Sequence, residues 1–290
     1  GSNGGVGLAI ADQTRRSTAN GRGGFAMARA THGSQASATA GRGSTAMANA
    51  SFGSRSRAEA YNNSRAYSNA MFNSQSNAYA SRNSVAKSNA MFGSSSSAIA
   101  QRGSRASSNA MFNSQSTAYA RNQSVAKSNA VWNSQSGAIA LDSSRAISTA
   151  KYNSTSAALA VNQSRATSTA KYGSQSAALA VDNSRAVSKA FYGSQATAEA
   201  QSNSLSLASA SNGSRANSLA ENNSIASTNA RSGSVAQSLA IDGGIAQAFG
   251  ANGQNALAIA GTGGYAVATP GTIDIDGDLS GLDLSGSLLD

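Results

Sequence analysis

Cysteine is absent from the 290-residue sequence, and histidine, proline and tryptophan occur once each, as His32, Pro270 and Trp132. Without cysteine the chain has no disulfide, thiol nucleophile or cysteine metal ligand, and a single histidine almost excludes a histidine-based catalytic centre. Large apolar residues are also scarce, since alanine makes up most of the 40% hydrophobic content. A conventional aliphatic core is therefore excluded. We therefore predict that the protein is not an enzyme and has no cofactor and no metal site.

Long apolar segments are missing as well. No run of 18 apolar residues occurs, so we expect no membrane-spanning helix. The sequence begins at Gly1 without a charged and apolar leader, and we expect any export signal to have been removed.

A ten-residue repeat fills most of the chain, and the last digit of a residue number gives its position in the block. Position ten is alanine from Ala30 to Ala240, and position four is serine from Ser34 to Ser234. Small residues occupy positions four, six, eight and ten, whereas positions five, seven and nine vary. This period of two over seven residues, followed by a break, predicts a β-strand and a turn. Asparagine or glycine at position three is suited to a turn with positive φ.

The complete unit has 20 residues, because two inner patterns alternate from residue 51 to residue 190. One pattern is Ser-Ser-Ala-Ala and the other is Ser-Ala-Ser-Ala at the four inner positions. The sequence thus predicts an all-β fold, a two-sheet parallel β-solenoid with about 20 residues (two strands) per coil and a thin Ala/Ser core. Because the two strands of a coil run in opposite directions, we expect Ser76 to face Ser88 across that core.

The regularity of the repeat divides the chain into four segments. Residues 1–29 are Gly-rich, degenerate N-terminal coils, and residues 30–240 are the regular solenoid shaft. Residues 241–270 are Gly-rich, degenerate coils, and residues 271–290 form an acidic C-terminal tail.

Two columns of identical or similar residues are the main candidate sites. The residues of the predicted inner serine ladder are Ser74, Ser84, Ser94, Ser104, Ser114 and Ser124. The residues of the predicted aromatic ladder are Phe52, Phe72, Phe92, Phe112, Trp132, Tyr152, Tyr172 and Tyr192. His32 lies one unit before Phe52 and is interpreted as a ladder member, not as a ligand.

The outward positions form columns too. Arginines at 65, 105, 145, 165 and 185 share one column, and a second column, which begins at Tyr79 and Ile99, predicts an exposed apolar stripe. Such a stripe favours either lateral packing between filaments or stacking along the coil. The basic columns also predict weak binding to anionic polymers such as DNA or polysaccharide, although the basic residues are spread around the coil.

Charge is divided unevenly along the chain. Residues 1–231 contain all 22 basic and 6 acidic residues, a net charge of +16, whereas the remainder contains six acidic and no basic residues. This division favours head-to-tail contact between copies. The candidate residues for that junction are Ile273, Asp274, Ile275, Asp276 and Asp278. The aspartates resemble a calcium-binding loop, but the glycine and the final glutamate are not where such a loop needs them, which favours an acidic end strand.

Several segments resemble the curlin-type repeats of bacterial functional amyloids. They are NSVAKSNAMF at residues 83–92, NSQS at 113–116 and GANGQNALAIAGTGG at 250–264. The resemblance covers roughly residues 30–265 and implies an exported subunit that polymerises into extracellular fibres. The chain departs from that family because serine and alanine replace the inward Asn and Gln ladders, and because its unit is shorter.

We therefore expect a structural subunit that assembles end to end with itself into an extracellular amyloid-like filament of a matrix or cell surface, with possible lateral bundling. One alternative is an ice-binding solenoid, which needs a regular threonine array that the mixed outward columns do not provide. The other is the shaft of an adhesin or phage fibre, for which the sequence offers no tip-sized domain.

Overall fold

The structure is a computed structural model that is described for eleven segments of the chain. These are residues 6–12, 16–22, 24–202, 205–212, 215–221, 225–230, 235–241, 245–251, 256–262, 265–269 and 272–275. Within these residues the chain forms 28 β-strands and no helix, and the strands stack as a two-sheet parallel β-solenoid with about 20 residues per coil. The predicted fold class is thus confirmed.

The strands follow one another with short corners between them. Their bounds are β1 Val6–Asp12, β2 Arg16–Arg22, β3 Phe25–Thr31, β4 Gln35–Gly41, β5 Thr45–Ser51, β6 Arg55–Tyr61, β7 Arg65–Met71, β8 Gln75–Ser81, β9 Val85–Met91, β10 Ser95–Gln101, β11 Arg105–Met111, β12 Gln115–Arg121, β13 Val125–Val131, β14 Gln135–Leu141, β15 Arg145–Lys151, β16 Thr155–Val161, β17 Arg165–Lys171, β18 Gln175–Val181, β19 Arg185–Phe191, β20 Gln195–Gln201, β21 Leu205–Ser211, β22 Arg215–Ala220, β23 Ile225–Ala230, β24 Ala236–Ala240, β25 Ile245–Phe249, β26 Ala256–Ala260, β27 Tyr265–Thr269 and β28 Ile273–Ile275.

Successive strands alternate between two parallel sheets, so each coil contributes one strand to each. The odd sheet contains the 14 odd-numbered strands in chain order, and the even sheet contains the 14 even-numbered strands. Along the shaft each residue pairs with the residue 20 positions further on, as Ala98 does with Ala118 in the even sheet. Identical inward residues are therefore stacked at the usual strand spacing of about 4.8 Å.

The core between the sheets consists of alanine and serine. Along a typical strand such as β11, alternate residues are buried and the others are half-buried or exposed, which reproduces the period of two in the sequence. Ser96 and Ser108 face each other with their Oγ atoms 2.6 Å apart. Each hydroxyl also lies 3.2 Å from a main-chain carbonyl oxygen of the facing strand, so burial leaves neither hydroxyl without a partner.

The same pairing recurs in successive coils, and it confirms the prediction that Ser76 faces Ser88, whose Oγ atoms are 2.6 Å apart. A close contact between two short side chains brings the sheets together and excludes larger residues from the core. Because these side chains bury little apolar area, the coils depend on main-chain hydrogen bonds and on the stacking of identical residues.

The corners between strands have two successive residues with positive φ. Phe92 and Gly93 have φ values of 56° and 71°, and Asn122 and Gln123 have 57° and 58°. The sequence predicts positive φ at position three, but the structure has it at position two as well. The corner N–H groups donate to carbonyl oxygens of the next coil, as Phe92 does to Met111 over 3.2 Å, so the main-chain ladder continues around each corner.

The first and last described strands extend both sheets with a changed spacing. Val6 of β1 pairs with Phe25, 19 residues later, and Leu257 of β26 pairs with Ile273 of β28, 16 residues later. Both pairs of strands keep the parallel register of the shaft.

Candidate functional surfaces

Each serine of the inner ladder forms hydrogen bonds that hold one corner in place. Ser94 Oγ donates to the carbonyl oxygen of Met91 over 2.7 Å and accepts the N–H of Ser74 over 3.1 Å. Each of the six serines named for this ladder is only 1% exposed. Serine at position four is thus a structural residue, because its hydroxyl joins a corner to the strand before it and to the neighbouring coil. The residues that repeat this arrangement are Ser74, Ser84, Ser94, Ser104, Ser114 and Ser124.

The aromatic ladder lies at the corners that follow the odd-sheet strands β5 to β19. We call it the aromatic spine, and its members are Phe52, Phe72, Phe92, Phe112, Trp132, Tyr152, Tyr172 and Tyr192. Successive ring centroids are 4.7–5.6 Å apart, and the ring planes differ by 4–13°. His32 continues the stack, with its ring 5.3 Å from that of Phe52 and its Nδ1 atom 2.9 Å from Asp12. Ring faces are therefore covered by neighbouring rings, and ring edges form the outer surface.

All eight members of the aromatic spine have positive φ, between 53° and 59°. An aromatic residue is a poor choice there, because the left-handed region costs an ordinary residue about 1–2 kcal/mol. At the opposite corners the same position also has positive φ and holds arginine, asparagine, aspartate or serine, as at Arg82, Asn122 and Ser202. The main-chain cost is therefore common to both kinds of corner, and the repetition of aromatic rings at one of them marks the spine as a candidate functional surface. The 20-residue spacing of these aromatic residues predicts the ladder, but it does not predict their positive φ.

An asparagine row lies beside the spine on the odd sheet. Its side-chain amides form a continuous chain in which each Nδ2 donates to the preceding Oδ1, over 2.7–2.8 Å from Asn129 to Asn49. The methionines Met71, Met91 and Met111 lie next to it, and together they line a groove of about 770 Å³. The surface of the groove is mostly apolar, and the side-chain amides of the asparagine row line one side of it.

The apolar stripe of the even sheet is less exposed than predicted. Its members are Tyr79, Ile99, Tyr119, Ile139, Leu159 and Leu179. All six are half-buried, because each packs between its neighbours in the coils before and after it, as Leu159 pairs with Leu179. The stripe is thus only partly exposed, and stacking along the coil accounts for the part that is covered, whereas lateral packing between filaments stays a prediction.

Charged side chains differ between the two sheets. In the even sheet Arg57 and Glu59 form an ion pair of 2.5 Å, and at the adjoining corner Arg121 contacts Asp142 over 3.1 Å. Hydrogen bonds from Asn162 and then from Arg121 lower the pKa of Asp142 below its usual value. In the odd sheet, strands β3 to β27 contain no acidic residue.

One tyrosine of the even sheet has a strongly perturbed pKa. Burial, together with a hydrogen bond of 3.0 Å to Glu59, raises the pKa of Tyr61 to about 12. Its ring contacts that of Tyr79 at a centroid distance of 5.6 Å. The phenol therefore stays protonated as a donor to the carboxylate and has no sign of a catalytic role.

Three of the five junction candidates lie on β28, the last described strand of the even sheet. Ile273, Asp274 and Ile275 pair with Leu257, Ala258 and Ile259 of β26. Asp276 and Asp278 lie outside the described residues. The acidic segment thus begins as one more strand of its own solenoid.

Among the described residues, no group of three or more His, Asp or Glu side chains could hold a metal ion. The described part of the chain also contains no helix that is long and apolar enough to cross a membrane. Comparison of the chain with protein-family models, with curated proteins and with solved structures finds no match.

Proposed function

We propose that the protein is a structural subunit that joins end to end with copies of itself into an amyloid-like filament outside the cell. The observation that carries this proposal is that each coil is complementary to another coil of the same kind. Ala98, for example, stacks on Ala78 on one side and on Ala118 on the other, with the strands in parallel register. A coil of a second copy would find the same main-chain and side-chain partners.

Two further features support end-to-end growth. Among the described residues, β1 pairs only with β3, and β28 pairs only with β26, so each presents one strand edge to a further strand. The first 30 residues contain four arginines and one acidic residue, whereas the residues after Arg231 contain only acidic charges. Opposite charges at the two ends favour a head-to-tail contact and disfavour head-to-head contact.

Lateral bundling of the filaments is a natural extension of the proposal. Rings of the aromatic spine are exposed at their edges, with 52% of Phe52 and 44% of Trp132 accessible. A long aromatic edge of this kind favours contact with the same edge of a second filament.

The extracellular location is supported by the resemblance of the repeats to curlin-type segments. We expect an antibody against the shaft to label intact, unpermeabilised cells of the source organism. Label that reaches the protein only after permeabilisation would contradict this part of the proposal.

Electron microscopy of the purified full-length chain, in dilute buffer near neutral pH, tests assembly directly. We expect unbranched filaments and a layer line near the strand spacing of about 4.8 Å. Short rods of uniform length under all conditions would refute assembly.

A charge exchange tests the junction itself. Arg16→Glu or Asp274→Lys alone should slow filament growth, because each places like charges at the junction, and the double variant should restore growth. The matched control is Asp182→Lys, which changes an acidic residue of the middle of the shaft and should leave growth unchanged. Equal effects of all three single variants would indicate that only net charge matters and would refute the head-to-tail junction.

Deletion of residues 271–290 should abolish growth, and unchanged filaments would refute a junction at that segment.

A further inference from the structure

Seven consecutive coils of the odd sheet each contribute one cation to a single row. The row uses two adjacent outward columns, at positions five and seven. Where position five is valine, at Val85 and Val125, position seven is lysine, at Lys87 and Lys127. The members of this row, which we call the cation row, are Arg65, Lys87, Arg105, Lys127, Arg145, Arg165 and Arg185. With one charge for every coil spacing of about 4.8 Å, the cation row is about 29 Å long, and it shifts by two positions along the strand at Lys87 and Lys127.

The charges of the cation row are not neutralised by the sheet that holds them. All seven side chains are exposed. Within the described residues none of the seven forms an ion pair, and Asp142 at the adjoining corner is bound by Arg121 and Asn162. Lys87 Nζ lies 5.5 Å from the ring centre of Tyr67, a contact that keeps its charge. The row thus presents a continuous positive potential.

Two overlapping grooves follow the cation row and add hydrogen-bonding groups to it. One groove of about 770 Å³ extends from Arg65 to Ile147. The other, of about 640 Å³, is lined by Gln123, Gln163 and Asn183 beside the arginines. These amides are exposed at the corners, where they can both donate to and accept from hydroxyl groups.

We propose that the cation row binds a linear acidic polysaccharide that lies along the solenoid axis with its carboxylates turned towards the row. A 1,4-linked polyuronate carries one carboxylate on every sugar, and rotation about the glycosidic bonds of a single flexible chain can bring carboxylates to the side that faces the row. Its hydroxyl groups match the amides in the grooves, and the C–H faces of its rings can contact Val85 and Val125. Binding of this kind would attach a filament to the carbohydrate of a matrix or cell wall, and it does not depend on self-assembly.

The geometry favours a polyuronate over nucleic acid for two reasons. A duplex turns through almost a complete helical repeat of about 34 Å over the length of the row, so its phosphates would face the row only in part. Single-stranded nucleic acid is bound where bases stack on aromatic faces beside the cations. Here the aromatic spine lies at the other end of the odd-sheet strands, and its ring faces are covered by one another.

Calorimetric titration of the full-length chain with polygalacturonate oligomers of defined length tests the proposal. Two variants with the same net charge are compared with the original protein. The row variant carries Arg105→Gln, Lys127→Gln, Arg145→Gln and Arg165→Gln. The control variant carries Arg55→Gln, Lys151→Gln, Lys171→Gln and Arg215→Gln, which remove cations next to the opposite corners, those that follow odd-sheet strands.

We expect the row variant to bind about 30-fold more weakly, if each lost contact is worth as much as a typical exposed ion pair. The control variant should bind almost as well as the original protein, and affinity should rise with oligomer length until the row is filled. Neutral dextran should not bind.

Three results would overturn the proposal. The first is equal weakening in both variants, which would show attraction to net charge alone. The second is absence of binding to the oligomers. The third is tighter binding of oligothymidylate or duplex DNA than of polygalacturonate. Circular dichroism checks that both variants keep the fold, and filament yield in the same samples is scored separately, so failed assembly and failed binding are distinguishable.

Discussion

Substitution of Phe112 by glycine and by alanine tests whether the aromatic spine is held in a strained main-chain conformation. Phe112 has a φ of 56°, and its ring stacks on Phe92 at 5.0 Å and on Trp132 at 4.7 Å. Both substitutions remove two stacking contacts, which are worth about 0.5–1.5 kcal/mol each. Loss of stacking therefore lowers the free energy of unfolding by a similar amount in both variants.

The two variants differ in what happens to the main chain. Alanine keeps the cost of the left-handed conformation, about 1–2 kcal/mol, whereas glycine removes it. Glycine also lowers the free energy of unfolding by about 0.5–1 kcal/mol, because the unfolded chain has more conformational freedom at a glycine. We therefore expect Phe112→Gly to be more stable than Phe112→Ala by about 0.5–1 kcal/mol.

A matched pair at Thr117 provides the control, because Thr117 is an exposed residue of the extended strand β12. There the order should be reversed, and Thr117→Ala should be more stable than Thr117→Gly by about 0.5–1 kcal/mol. The emission of Trp132, the only tryptophan, reports unfolding next to the substituted ring during a thermal or denaturant titration. Differences of this size shift the midpoint by about 1–3 °C. The reasoning is refuted if Phe112→Ala is as stable as Phe112→Gly.

Three shorter predictions concern the core and the even sheet. Ser108→Ala should cost about 1 kcal/mol, and the double variant with Ser96→Ala should cost less than the two single variants together, because both remove the same hydrogen bond; additive denaturation midpoints would contradict this. Ala118→Leu should cost about 1–3 kcal/mol or more by overpacking a core that has room only for methyl and hydroxymethyl groups, and an unchanged melting temperature would show a wider core. Tyr61 should titrate at a pKa of about 12, above its unfolded value near 10, so the stability that its protonated form provides is complete below pH 10 and is lost as pH rises towards 12. Tyrosinate absorbance should lose its highest transition in Tyr61→Phe, and a transition that survives would contradict its assignment to Tyr61.

Much of the fold follows from the sequence alone, because a thin core leaves few choices. A position that must fit between sheets as close as Ser96 and Ser108 can hold only alanine, serine or threonine, so the inward positions are visible as a strict period of two. The alternation of two inner patterns identifies which serines meet across the core. Equal spacing of the aromatic residues likewise predicts that they stack.

Other features depend on geometry that no residue type reveals. Phe112 is a typical strand residue, and only the shape of the corner places it at positive φ, where glycine or asparagine would be expected. The apolar stripe consists of residues that are exposed in a single strand, but stacking at the coil spacing covers them, as at Leu159. The cation row crosses from one column to another, so neither column taken separately shows an unbroken series.

Exact alternation of two kinds of strand also limits how the gene can change. Duplication or loss of a whole 20-residue unit lengthens or shortens the shaft by about 4.8 Å and returns every following residue to an equivalent place. Loss of ten residues preserves each strand and corner but exchanges the two sheets beyond that point. Aromatic rings would then meet the polar corners occupied by residues such as Asn122, and Ser96 would stack on an alanine of the wrong pattern. A shift of ten residues thus keeps the main-chain hydrogen bonds but mismatches the stacked side chains in every row. We therefore expect selection against recombination that adds or removes half a unit.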